Sequence, residues 1–295
     1  MGSRAALAVL VAGLVVAGGA SCYPAAPLGS TSSQLTLAAP VLFAEKAMSI
    51  GASNNIAGDV VVRQIEPLPS PTTATPPKVT TSPAATPQLI IGEKSRVATD
   101  AACRPTAIVV ANSILLQNAA CTGDVYSNEV DNPSGGTVGS VQPFPATPLD
   151  AQPLAFLPPT GAPVTVAASA TLALPPGAYG DLSIGDSAIV ELASGTYSFG
   201  SITLGIGSRL VTTTSGVSVN ALGLSANRAA VIDVGSGLKA AELQIYLSAS
   251  ASFGKADRLH ALIAAPHGDM TFGDDVRATG AFAAFTIETQ SRVRM

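Results

Sequence analysis

An all-β fold, a right-handed parallel β-solenoid interrupted by proline-rich loops, is what this 295-residue sequence predicts. Three observations carry it. Triplets with apolar ends and a small polar centre, such as Leu182-Ser-Ile184 and Ile202-Thr-Leu204, have the period of two that marks half-buried strands. Two such units align: Gly177-Ala-Tyr179 leads to Leu182-Ser-Ile184-Gly185, and Gly195-Thr-Tyr197 leads to Ile202-Thr-Leu204-Gly205. Their offset is about 20 residues, enough for one solenoid coil that buries its inward side chains against the coils above and below. Finally, 47% of residues are hydrophobic but only 4% are aromatic and none is Trp. The core is therefore built from Val, Ile, Leu and Ala, which suits flat stacked coils.

In chain order, residues 1–21 read as an export signal. Arg4 gives a positive start, and Ala5 to Ala17 is an apolar run too short to cross a bilayer comfortably. The run ends in Gly19-Ala20-Ser21-Cys22, which resembles the lipobox of bacterial lipoproteins, with Gly19 where a Leu-like residue is usual. The resemblance implies lipid on Cys22 and a membrane anchor. With Tyr23 rather than Asp after the Cys, it implies the outer membrane or periplasmic side; cleavage after Ala20 and secretion is the alternative. With Cys22 taken by lipid, Cys103 and Cys121 remain as a pair in an oxidising compartment. A disulfide between them is expected, worth about 3 kcal/mol on the chain-entropy model.

Residues 22–34, rich in Pro, Gly, Ser and Thr, read as a tether. The first solenoid segment, 35–66, contains Val41-Leu-Phe-Ala44, Met48-Ser-Ile50 and Gly58-Asp59-Val60-Val61. Seven prolines then crowd residues 67–88, and each lacks the N–H that a ladder needs, so an extended loop is expected. The second segment, 89–141, repeats the grammar of the first, with Gly123-Asp124-Val125-Tyr126 matching Gly58-Asp59-Val60-Val61. Both should stack on one solenoid. Residues 142–163 form another proline-rich crossing, in which Ala155-Phe156-Leu157 is apolar enough to pack against an end or side. The main solenoid, 164–295, closes with two coils in which Ile263-Ala-Ala aligns with Phe282-Ala-Ala. One flanking helix is allowed for, in residues 221–230 or 236–241.

The order Pro176-Gly-Ala-Tyr-Gly-Asp-Leu-Ser-Ile184, Ser194-Gly-Thr-Tyr-Ser-Phe199, Leu262-Ile-Ala-Ala-Pro-His-Gly-Asp-Met-Thr-Phe272 and Gly280-Ala-Phe-Ala-Ala284 resembles a β-solenoid domain of bacterial surface proteins. Such domains occur in lipoproteins and pilus-assembly proteins and are related in style to the ice-binding-protein fold. The resemblance covers about 164–293 well and the earlier segments loosely. It implies fold and surface location, and no assigned activity.

Net charge is −4 and the basic residues are scattered along the sequence, so no basic face for phosphate backbones is expected and nucleic acid is excluded as a partner. The best cluster for carbohydrate chemistry is His267, Asp269, Asp274 and Asp275 with Arg277 nearby, but Gly-Asp pairs are also what coil corners need, because Asp caps backbone donors. Two cysteines and two distant histidines do not make a metal site, and no cofactor is expected. Tyr179 and Tyr197 offer a short aromatic ladder for sugars or simply stack at equivalent positions of neighbouring coils. Ice binding needs flat Thr ladders, and only Thr212-Thr213-Thr214 clusters, without recurrence at coil spacing. The expected function is thus that of a non-enzymatic, lipid-anchored envelope protein, structural or adhesive. Its partners would be the membrane, through the lipid, and envelope polysaccharide or surface protein. A carbohydrate-binding or carbohydrate-active β-helix is the alternative, and an ice-binding type a more distant one.

Overall fold

Alternating triplets joined by tight corners leave one solution for the backbone N–H and C=O groups: every strand pairs in parallel with the equivalent strand of the next coil. The structure, a computed structural model, describes residues 41–63, 78–80, 87–144 and 159–295 and is a parallel β-solenoid throughout. The export signal, Cys22, the tether and Ala155–Leu157 lie outside the described residues.

Each coil contributes a strand to each of three faces. The first face runs Val164–Val166, Leu182–Ile184, Ser201–Leu204, Gly223–Ala226 and Ala251–Phe253, each paired with the next in register. The second begins with Thr171–Leu174, Ile189–Leu192, Arg209–Thr212 and Val231–Val234. The third begins with Gly177–Ala178, Gly195–Ser198, Val217–Ala221 and Leu243–Leu247. The last two coils are drawn by two long strands, Arg258–Phe272 and Arg277–Thr289, which pass over all three faces.

Between the first and second faces the same β-turn recurs, with its third residue in the left-handed region. Along the main solenoid these residues are Ser169, Ser187, Gly207, Ala229, Ala256, Asp275 and Arg292, followed by Ser53, Lys94, Ala119 and Gly135. The amide after the turn residue donates back across it, as from Ala188 N to the Gly185 carbonyl at 3.1 Å. A positive φ at this position is the mark of a type II turn. Where the turn opens with glycine the coils nearly touch: a Cβ on Gly92 would lie 2.5 Å from the Gly51 backbone.

Inward positions form columns of Leu, Ile, Val and Ala with buried aromatics, Phe253 stacked on Phe272 at 5.1 Å and Phe272 edge-on to Phe282 at 5.3 Å. Each fully buried Leu or Ile contributes about 1.5–3 kcal/mol, so the core is carried by aliphatics as the composition required. The matching Gly-Asp-Val motifs are structurally equivalent, since Val60 pairs with Val109 and Val109 with Val125. Ile263 and Phe282 are paired as the sequence suggests.

Coil order differs from chain order. Strand Leu42–Ile50 lies on Arg277–Thr289, with Leu42 against Phe282 and Met48 against Ile287. The first segment therefore stacks on the last coil of the main solenoid and the second extends away from it, through Leu89–Ile91, Ser113–Leu116 and Glu129–Asp131. Phe144 and Pro159, the described ends of the second crossing, lie at opposite ends of the stack. Asn54 locks the joint: its Nδ2 donates to Thr289 Oγ1 at 2.7 Å, and its Oδ1 accepts from Val293 N at 2.7 Å.

Three expectations are corrected. The stretch 221–230 holds the strand Gly223–Ala226 rather than a helix, and among the described residues the only helical turn is the 3-10 piece Ala240–Glu242. Ala and Leu there fill inward positions between coils, which outweighs their helix propensity. The proline-rich stretch 67–88 is not loop throughout: Lys78–Thr80, free of proline, pairs with Glu129–Asp131 and extends the first face. Tyr179 and Tyr197 are not equivalent, because Tyr197 pairs with Gly177.

Candidate functional site

The predicted site residues separate to different parts of the coil. His267 and Asp269 stand at the corner entering the first face, and Asp274 and Asp275 at the corner leaving it, with the strand stretch Met270–Phe272 between. Asp274 accepts hydrogen bonds from Ser291 Oγ at 2.7 Å and Ser291 N at 3.0 Å, which hold its carboxyl below the usual range. Asp275 is held low by a two-point bond from Arg292, at 2.6 and 3.0 Å, and lies near Lys255. Asp269 accepts from Thr286 Oγ1. The same device recurs along the rod. Asp181 accepts from Ser201 N and Oγ, Asp186 from Ile206 N, and Asp124 from Ser140 N and Oγ, in each case one coil on. These carboxylates are spent on tying coils together, as turn chemistry requires.

Tyr197 is fully buried, and its hydroxyl donates to the Leu174 and Ala193 carbonyls at 2.8 and 3.0 Å. Burial pushes the phenol pKa up. Tyr179 stacks on Phe199, its true counterpart, with ring centroids 5.5 Å apart, and its hydroxyl donates to the Pro175 carbonyl. These rings serve the stack and offer no paired sugar platform. Cys103 and Cys121 form a disulfide with Cα atoms 5.8 Å apart, which pins the excursion around Asp100 to the buried strand Cys121–Thr122. Among the described residues no group of His, Cys, Asp and Glu is arranged to hold a metal.

What the rod presents instead are outward columns along its axis. At the centre of the first face Thr165, Ser183, Thr203, Ser225, Ser252 and Thr271 stand in register on successive strands. Neighbouring strands are ~4.8 Å apart, so this is a regular hydroxyl row about 24 Å long. Glu288 and Ser49 continue it, and then Ile90 and Leu115 replace the hydroxyls.

The second face carries a different column. Arg209 pairs with Val231, Val231 with Arg258, Arg258 with Arg277 and Arg277 with Arg294; Arg294 then meets Asn55 and Asn55 meets Arg96. All five arginines are exposed, while the next residues of the strands, Leu210, Leu259, Ala278 and Val97, are buried. Among the described residues none of the five forms an ion pair; Arg294 lies only within electrostatic reach of Asp275. Four of them line an open groove of about 820 Å³, with Asp233, His260 and Thr279 in the parallel column beside them. His260 Nδ1 and Asp233 Oδ1 are 3.1 Å apart. Like charges directly opposite on a sheet are unfavourable, and Arg258, Arg277 and Arg294 stand so on successive strands.

This column corrects the reading that the basic residues are scattered: five of the chain's 15 are gathered in one row. Unequal coil lengths hide it, but a signal exists. Each arginine follows the left-handed turn residue by two positions, as in Gly207 and Arg209, Ala256 and Arg258, or Lys94 and Arg96. Compared with known proteins, the chain matches no family model, no curated protein and no solved structure.

Proposed function

We propose that the chain is a non-enzymatic cell-envelope protein, held to a membrane by lipid on Cys22, whose rigid solenoid makes structural or adhesive contacts with an extended partner. The observation that supports this best is the repetition of one outward side-chain type at coil spacing over many coils, as in the row from Thr165 to Thr271. A repeating surface favours a repeating partner, because every coil adds an equivalent weak contact and many weak contacts sum. The corner carboxylates favour the same reading, since each is bonded through at least one oxygen to the next coil rather than turned with the others onto a substrate.

The test uses the full chain. Cys22→Ala should move it from the membrane fraction to the soluble fraction, and the purified protein should be retained on immobilised envelope polysaccharide without altering it. Unchanged fractionation sinks the anchor; release of unsaturated or shortened sugars would make the protein an enzyme and sink the rest. The flat hydroxyl row also favours a second reading, an ice-binding type, which would show thermal hysteresis lost in Thr203→Leu.

A further inference from the structure

We propose that the arginine column of the second face is a binding site for an acidic polysaccharide laid along the rod axis; this deepens the adhesive reading and rests on it. Three adjacent coils present Arg258, Arg277 and Arg294, and Arg209 and Arg96 stand two coils beyond on either side. The arginine positions therefore recur at one and two coil steps, ~4.8 and ~9.6 Å. A polysaccharide advances by one sugar ring over about one coil step, so a polymer with a carboxylate or sulfate on every ring, or every second ring, meets an arginine at matching intervals. A planar guanidinium binds such groups through two parallel N–H donors, and it is less strongly hydrated than an ammonium.

The neighbouring column supplies what a sugar needs beyond its charge. Asp233, His260 and Thr279 line the same groove and Asn55 interrupts the arginines, giving acceptors and donors for ring hydroxyls. Nucleic acid fits less well. The groove has no Phe, Tyr or Trp on which bases would stack, and its polar groups suit ring hydroxyls rather than base faces. The like-charge row, without carboxylate partners among the described residues, is explained by an anion that arrives from outside.

The experiment measures binding of the full-length protein to alginate by calorimetry at low and high salt, with neutral dextran, single-stranded DNA and anionic phosphatidylglycerol vesicles as separate arms. Wild type should bind alginate, and less tightly as salt rises. The triple variant Arg258→Gln, Arg277→Gln, Arg294→Gln should lose about 30-fold in affinity, about threefold per arginine. The control Arg228→Gln, Lys239→Gln, outside the column, should stay within about twofold. The thermal midpoint of the triple variant should be unchanged or higher, because repulsion is relieved, which separates lost binding from lost folding. No alginate binding, an equal loss in the control, or tighter binding to DNA or vesicles overturns the proposal. Retention on neutral polymer alone would leave the adhesive reading standing while this one falls.

Discussion

Replacing Phe282 by alanine tests the joint at which the first and last coils meet. The ring is 0% exposed, lies edge-on to Phe272 with centroids 5.3 Å apart, and is in register with Ile263 on one side and Leu42 on the other. A phenylalanine buries at least ~150 Å². At about 25 cal/mol/Å² that is close to 4 kcal/mol, less the share that alanine keeps. A cavity term restores the difference, because neighbours fixed in the coils on either side have little freedom to collapse inward. The expected loss is therefore about 4 kcal/mol. Phe285, on the same strand, is only half-buried, with Lys46 Nζ 5.6 Å from its ring centroid, and its replacement should cost about 1 kcal/mol. Urea unfolding followed by far-ultraviolet circular dichroism gives both values, and hydrogen exchange should show the loss of protection centred on Leu42–Ala44 and Ala281–Ala284. A Phe282→Ala protein as stable as wild type, or more stable than Phe285→Ala, would refute the assignment of inward and outward positions at the joint.

Two further outcomes follow from particular side chains. The buried Asp257 carboxyl is pushed up to about 6 by desolvation, against the pull of the Ala230 and Gly254 amides that donate to it. A raised acid binds more protons folded than unfolded, so wild type should lose about 2–3 kcal/mol relative to Asp257→Asn as pH rises from about 4 to about 6, read as the difference in urea midpoints; a flat difference would mean the group titrates normally. Cys103→Ser should cost about 3 kcal/mol under oxidising conditions and nothing under reducing ones, measured by the same denaturation.

The solenoid was legible because its grammar is local: a strand such as Leu182–Ile184 declares its inward and outward sides within three residues. Equivalence between coils was less legible. Matching Tyr179 to Tyr197 by identity gives an offset of 18, whereas the register of that face is 20, so the aromatic neighbour of Tyr179 is Phe199. Coil length varies because each corner absorbs insertions independently: Leu224 pairs with Ala251, but Met270 with Ile287. The arginine row disappears from view in the sequence for the same reason, since Arg209, Arg258, Arg277, Arg294 and Arg96 share no period. Counting from the left-handed turn residue instead of from residue one recovers it. The stacking of the first segment on the last coil was not legible, because apolar triplets from any coil are interchangeable partners.

Solenoids unravel from their outermost coils, which have a neighbour on one side only. Here the outermost strands, Val164–Val166 at one tip and Val141–Gln142 and Lys78–Thr80 at the other, all lie between the two segments that form the joint, while Leu42 and Phe282 face each other well inside the stack. A pull applied through the segment preceding Val41 would thus load the rod at its waist, across the Asn54 bonds to Thr289 and Val293, rather than peel it from an end. The strands in the joint must then part together rather than one after another.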